Sequence, residues 1–287
     1  MPDSACPDGT WESVAGRPTE CLRPGVLRYH GFRARFSRPR RRLELPSGTV
    51  SLVVGFDEKL SLDNAQGHGP AVYSAVLTGV HACAGTGGHQ GRLSGMEIVM
   101  APWAAYSLLG AAMHELAGRH LAAEDVLGRR LDTLADALAT APDWPRRFAL
   151  VDAALTAWGA AGKPCSPRVA QAWHEVGARR GIVTTDVLAD SVGWGRRQLE
   201  KRFREQIGVS PKIVGRIVRL NHALRALAAG RSPCEIAAAV GFSDQAHLSR
   251  EFKAMTSLRP RQFLQAIAEH RVVERIPGHL TSVLLEH

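Results

Sequence analysis

Gly241-Phe242-Ser243-Asp244-Gln245-Ala246-His247-Leu248-Ser249-Arg250-Glu251-Phe252-Lys253 is the stretch whose reading decides the fold. Leu248 and Phe252 stand four apart, the inward stripe of an amphipathic helix. Gly241 offers the positive-φ turn ahead of that helix, and Phe242 can anchor the turn in a core. The same skeleton occurs earlier in the chain. Ala189, Val192, Gly193, Trp194, Leu199, Phe203, Arg204 and Pro211 match Ala237, Val240, Gly241, Phe242, Leu248, Phe252, Lys253 and Pro260. In each copy the small Ala lets a second helix cross closely. Each copy therefore reads as a helix-turn-helix.

The outward faces carry residue types that can read DNA. Arg196, Arg197, Glu200 and Lys201 lie opposite the stripe in the first copy, and Gln245, His247, Ser249 and Arg250 in the second. Arg or Lys pairs with guanine and Gln with adenine. On one isolated helix such a face reads as merely solvated; its repetition in a basic context favours double-stranded DNA. Between the copies, Ser210 at a cap and Pro211 at the first helical position start a helix. Ile213, Ile217, Leu220, Leu224 and Leu227 give it a buried face, and Gly230 ends it. About eighteen helical residues span roughly 27 Å. With the flanking helices added, the two recognition helices are expected about one DNA turn, ~34 Å, apart, in successive major grooves.

Charge divides the chain in the same way. Of the net charge of +9, all but one unit lies from Cys165 onward, where 19 Lys and Arg face 11 Asp and Glu. Phosphate contacts need that surplus, and Arg216, Arg219, Arg259 and Arg261 are its candidates.

The C-terminal residues, 166 to about 268, resemble the DNA-binding domain of the AraC/XylS family of bacterial transcription regulators. Residues 241–253, continuing to Arg259-Pro260-Arg261-Gln262-Phe263, carry the resemblance most specifically. It implies seven helices, two helix-turn-helix units on a rigid linker helix, and base contacts from Arg197, Lys201, Gln245, His247 and Arg250. One departure stands at Ser257, where the family usually has Gly, as Gly208 is in the first copy. A Ser in a left-handed turn costs about 1 kcal/mol.

The preceding half reads as α+β. Residues 31–36, 49–56, 72–81 and 95–100 have strand character, with Pro46-Ser47-Gly48 and Gly85-Thr86-Gly87-Gly88 as turns. A helix is expected from Ala104 to near Gly118. A second carries Leu127, Leu131, Leu134 and Leu138, and a third Phe148, Val151, Ala154, Leu155 and Trp158. This half resembles the N-terminal domains of a subgroup of actinobacterial AraC-type regulators, through Arg42-Leu43-Glu44-Leu45-Pro46-Ser47-Gly48, Leu108-Leu109-Gly110 and His114-Glu115-Leu116-Ala117-Gly118-Arg119. The expected domains are a loose lead-in (1–20), an α+β sensing or dimerisation domain (21–162), an all-α DNA-binding domain (166–270) and a tail (271–287).

Signals for chemistry are weak. His114-Glu115 begins like a zinc-protease motif, but Gly118 stands where the second His is needed, and His120 falls on another face. His81, Cys83 and His89 could approach a metal across a turn, but such loose spacing reads first as structural use or exposure, and Ala82-Cys83-Ala84-Gly85 has no local base beside it. A methyl-transfer repair fusion would need a four-Cys zinc cluster, which the spacing of the five cysteines rules out. Those cysteines are scattered, and free thiols in a reducing cytoplasm are the expectation. Arg38-Pro39-Arg40-Arg41-Arg42 could touch DNA but reads first as a solvated loop and strand start, and Trp103 and Tyr106 could line a small-molecule pocket but read first as core beside an apolar helix. No secretory leader or membrane span is expected. Leu285-Glu286-His287 reads equally as a cloning remnant or as native.

The expected protein is a cytoplasmic, nucleoid-associated regulator, not an enzyme, with no cofactor. Its expected partners are promoter or operator DNA, RNA polymerase if it activates, a second copy, and a small-molecule effector. The competing readings are a small-molecule enzyme addressed to DNA and a ligand-free architectural DNA-binding protein.

Overall fold

The computed structural model describes residues 4–6, 9–56, 59–63, 70–276 and 279–285. Its first part is two antiparallel sheets followed by helices. The strands are β1 (Ser4–Cys6), β2 (Gly9–Gly16), β3 (Val26–Phe36), β4 (Arg40–Glu44), β5 (Val50–Gly55), β6 (Leu60–Asp63), β7 (Pro70–Tyr73), β8 (Ala75–Thr78), β9 (Gly85–His89) and β10 (Arg92–Met100). Then come α1 (Pro102–Leu109), α2 (Met113–Leu116), β11 (His120–Ala122), α3 (Ala123–Leu127), α4 (Arg129–Thr140) and α5 (Trp144–Ala161). The C-terminal part has α6 (Pro167–Ala178), α7 (Thr185–Ser191), α8 (Arg196–Ile207), α9 (Pro211–Ala228), α10 (Pro233–Ala239), α11 (Gln245–Thr256) and α12 (Pro260–Ala268). Two strands follow, β12 (Val272–Ile276) and β13 (His279–Leu284).

The first sheet runs β1-β2-β3-β10-β5-β8-β11 and the second β12-β13-β4-β9-β6-β7. Side chains alternate across a strand, so each sheet has two distinct faces. One face of the first sheet is apolar: Leu52, Val54, Leu77, Met96 and Ile98 are buried there. Helix α5 is fastened to the sheet by Tyr29, whose hydroxyl donates to Asp152 at 2.7 Å. Trp144 packs flat on Gly31, where a Cβ would come within 2.4 Å of its ring.

Four expectations need correction. The lead-in contains β2, which pairs along its length with β3; its exposed polar positions belong to an edge strand and not to a loose segment. Gly85-Thr86-Gly87-Gly88 is strand β9, paired with β4 and β6. Its glycines serve close approach: a Cβ on Gly87 would meet Leu62 at 2.8 Å, and one on Gly88 the Arg40 carbonyl at 2.9 Å. The helix expected to run from Ala104 toward Gly118 is broken by Gly110 at φ 73°. Finally, the tail is not a free end. Strand β13 pairs with β4 of the N-terminal part, because Val283 presents an apolar side chain to Leu43 that solvent would penalise. Glu286 and His287 lie outside the described residues.

The two helix-turn-helix units are attached differently. The first has its own core, with Val169, Val176, Leu188, Leu199, Phe203 and Ile207 at its centre. The second, with Leu248, Phe252, Met255 and Phe263, shares one continuous core with the sheets and α9. Polar links also cross between the parts. Ala84 donates its amide to the Met255 carbonyl at 2.7 Å, and Tyr106 its hydroxyl to Glu205 at 3.3 Å.

Candidate nucleic-acid interface

Each recognition helix is set by the same local device. In the first copy the amide of Trp194 donates to the Ala189 carbonyl at 2.9 Å; in the second, Phe242 does so to Ala237 at 3.0 Å. The intervening glycines take φ 66° (Gly193) and 74° (Gly241), the left-handed region that a Cβ penalises. Ala189 and Ala237 are buried at the crossing, and Leu199, Phe203, Leu248 and Phe252 are fully buried beneath the recognition helices. Thr184 caps α7, and Ser232 and Glu235 cap α10 reciprocally. Asp244 caps α11, accepting from the His247 amide at 2.6 Å. That amide bond is the chief reason the Asp244 carboxyl is held below its ordinary range. The linker helix begins as expected: the Ser210 hydroxyl accepts from Ile213 at the start of α9.

The candidate readers divide by their neighbours. Arg197 and Lys201 on α8, and Gln245 and Arg250 on α11, are exposed. Arg196 is gripped instead by carboxylates, Glu200 at 3.1 Å and Asp186 at 3.3 Å. His247 is half-buried, its ring edge-on to Phe242 at 5.2 Å and its Nδ1 3.2 Å from the Ser243 hydroxyl. Ser249 is half-buried beside it. Among the phosphate candidates, Arg259 and Arg261 are exposed at the start of α12. Arg216 pairs with Glu251 at 2.9 Å, and the Arg219 guanidinium lies 5.3 Å from the Phe242 ring centre. The fold thus leaves four candidate readers exposed on two helices and gives Arg196, His247, Arg216 and Arg219 contacts within the protein.

A second feature escaped the sequence reading. A cavity of about 1190 Å³ lies between the two sheets and opens toward α6 and α9. The face of the first sheet lining it mixes polar Ser13, Arg28, His30, Thr78, Glu97 and His120 with apolar Phe32, Val53, Val76 and Val99, whereas the face behind is apolar. Ser13 Oγ lies 2.9 Å from His30 Nε2, and His30 Nδ1 stands 3.6 Å from Glu97. His120 Nδ1 is 3.0 Å from the Thr78 hydroxyl. Burial, helped by the charge of His81, lowers the His120 pKa to about 4. His89 on the opposite sheet is likewise lowered to about 4 by burial, then by Arg42 and Arg40. Both imidazoles are therefore neutral at pH 7. The polar alternation of β3 was the available signal, but the strand was expected to begin at Gly31, after Arg28 and His30.

The residues weighed for other chemistry have structural places. His81 has its ring nitrogens 3.1 Å from the carbonyl oxygens of Gly79 and Leu45, and Cys83 is exposed. Arg40 starts β4 with its guanidinium 3.8 Å from the Phe36 ring centre. Trp103 and Tyr106 face the DNA-binding part, toward His174 and Glu205. Among the described residues no helix is long and apolar enough to cross a membrane.

Residues 188–266 match the family model described as a helix-turn-helix domain. The HTH-type transcriptional regulator YbfI of Bacillus subtilis (strain 168), itself described as uncharacterized, is 35% identical over 66 residues. That is 23% of this chain and 24% of that protein, so the chain spans about a quarter of the length of this relative. A transcriptional regulator with an AraC-type DNA-binding domain from Chromobacterium violaceum is 30% identical over 36% of this chain and 94% of its own, with a TM-score of 0.34. ToxT from Vibrio cholerae is similar over 89% of this chain and 98% of its own, at 10% identity and a TM-score of 0.45. The duplicated unit at the C-terminus is thus a helix-turn-helix domain, similar over residues 188–266 to that of AraC-type transcriptional regulators.

Proposed function

We propose that the chain is a sequence-specific regulator that sets α8 and α11 into successive major grooves of one operator. Arg197 and Lys201 read one half-site, and Gln245 and Arg250 the other. His247, Ser249, Arg196 and Glu200 shape those faces, and Arg259 and Arg261 hold phosphates. Arg216 and Arg219 reach the backbone only as extensions of their internal contacts. The observation that carries this reading is the repeated pair of turns, Gly193 and Gly241, each followed by a helix with free cationic or amide side chains.

Residues 21–162, with β2, form the sensing unit, and residues 166–270 the reading unit. The effector is a small molecule held between the sheets. Polar groups turned inward cost free energy unless they meet hydrogen-bonding partners, and Ser13, His30, Glu97 and His120 stand so among apolar Phe32, Val53, Val76 and Val99, a lining suited to a mainly apolar molecule with a few polar groups. The protein works in the cytoplasm, contacts RNA polymerase where it activates, and pairs with a second copy on DNA.

The test is selection of genomic fragments by the purified chain at near-physiological salt, repeated at higher salt. The expected result is a motif of two short blocks about 10 base pairs apart, with affinity falling steeply as salt rises. No enriched sequence from folded protein would count against it.

A further inference from the structure

We propose that β13 is a strap by which the DNA-binding helices sense whether the cavity between the sheets is filled. The proposal rests on reading that cavity as the effector site. Strand β13 follows α12 by way of β12, its antiparallel partner, and its other edge adds to the second sheet of the N-terminal part. Its register sets Ser282 against Glu44, Val283 against Leu43 and Leu284 against Arg42. Two further backbone bonds flank this ladder: Leu45 donates to Thr281 at 2.8 Å and Leu285 to Arg41 at 2.9 Å. At its base the strap is tied to the end of the DNA-binding part, with Leu284 donating to Arg271 at 2.7 Å and the Arg271 guanidinium donating back to Leu284 at 3.1 Å.

The strap is also a wall of the cavity. Leu280, Thr281 and Leu284 line it, and so do Ile217, Asn221 and Arg225 of the linker helix α9. Those three α9 residues stand at i, i+4 and i+8, one face of the helix. Gly48, in the turn after β4, lies against the same helix, where a Cβ would sit 3.7 Å from Ile217. An occupant would therefore touch the sheet, the strap and the linker helix together. Contacts made only when the strap is closed favour the closed state by their own free energy, which is the coupling an effector needs.

The strap is held loosely enough to respond. Ser282 is fully buried, and its hydroxyl has no hydrogen-bond partner among the described residues, which subtracts from the grip of the ladder. Strands β12 and β13 form the outer end of their sheet, and a terminal pair of this kind opens more readily than the centre of a sheet.

Hydrogen exchange of the purified chain tests the proposal, with two variants that free the strap and one that fills the cavity. The first ends at His270. The second, Val283→Asp, sets a carboxylate against Leu43 in the full chain. Amides of β4 and α9 are expected to exchange at least tenfold faster in both, while α7 and α8 keep their protection and so report a folded reading unit. Affinity for the selected DNA fragment is expected to change at least fivefold. Ser51→Trp places an indole in the cavity as a built-in occupant and is expected to slow exchange in β13 and α9 at least threefold. Unchanged α9 exchange on freeing the strap overturns the proposal, as does unchanged or faster exchange in Ser51→Trp. If the parent chain selects no DNA sequence, the regulator reading fails, and the exchange results still decide the strap.

Discussion

Arg216 on the linker helix and Glu251 on the second recognition helix form a two-pronged ion pair, with Nε and Nη2 donating at 2.9 and 3.4 Å. The pair links α11 to α9, and we expect it to help set the direction in which Gln245 and Arg250 point. Both side chains are about a quarter to a third exposed. A double-mutant cycle of Arg216→Ala and Glu251→Ala is expected to give a coupling of about 1 kcal/mol in folding stability. Additive effects of the two changes would show that the pair does not set the helix.

The free readers give a specificity prediction. Arg250→Ala is expected to cost about 1–3 kcal/mol at the selected site and to relax base preference under α11 alone. Arg261→Ala is expected to weaken all sequences alike and to reduce the salt slope by about one. Titrations of matched and mismatched fragments at two salt concentrations separate the two behaviours. Unchanged selectivity in Arg250→Ala would remove it from the readers.

The two turn glycines differ in their surroundings, which orders their substitutions. At Gly193 a Cβ meets nothing within 4 Å, so Gly193→Ala carries only the backbone strain of its φ of 66°, about 1 kcal/mol. At Gly241 a Cβ also comes within 3.0 Å of Ile182, so Gly241→Ala is expected to lower the melting temperature further. Gly193→Val adds a branched side chain to the strained turn and should exceed Gly193→Ala. Ser257 holds φ 63° at the end of α11, and Ser257→Gly is expected to stabilise by about 1 kcal/mol. Equal melting temperatures across this set would mean that these turns are not left-handed in solution.

The buried imidazole in the cavity wall predicts acid sensitivity. The His120 pKa falls from 6.5 to about 4 in the folded chain, so the folded state binds this proton later than the unfolded state does. The stability it contributes is present above pH 6.5 and is lost as pH falls through 6.5 toward 4. Denaturant melts at pH 7 and pH 4 should show the parent losing about 2 kcal/mol more than His120→Gln. Parallel losses in the two proteins would mean that the ring titrates normally.

Legibility followed the range of the interactions. Ala189, Gly193 and Trp194, with their counterparts Ala237, Gly241 and Phe242, close their turns through hydrogen bonds five residues apart, so the spacing in the chain exposed them. The cap at Ser210 acts three residues ahead in the same way. Arg216 looked like a free phosphate contact because its partner Glu251 lies on another helix. His30 and Glu97 were missed because they become neighbours only where β3 pairs with β10.

By itself, then, the sequence determined the two helix-turn-helix units, the linker helix between them and the basic surface they present. Each rests on periodicity, capping and turn conformation, which act over a few neighbouring residues. Tertiary structure alone decided that the lead-in and the tail contain strands, that His30, Glu97 and His120 turn inward among apolar neighbours around a cavity, and that β13 joins the C-terminal helices to the second sheet. Those outcomes depend on ladders between distant segments. A strand's pattern states which residues share a face, and only its pairing partners decide what that face meets.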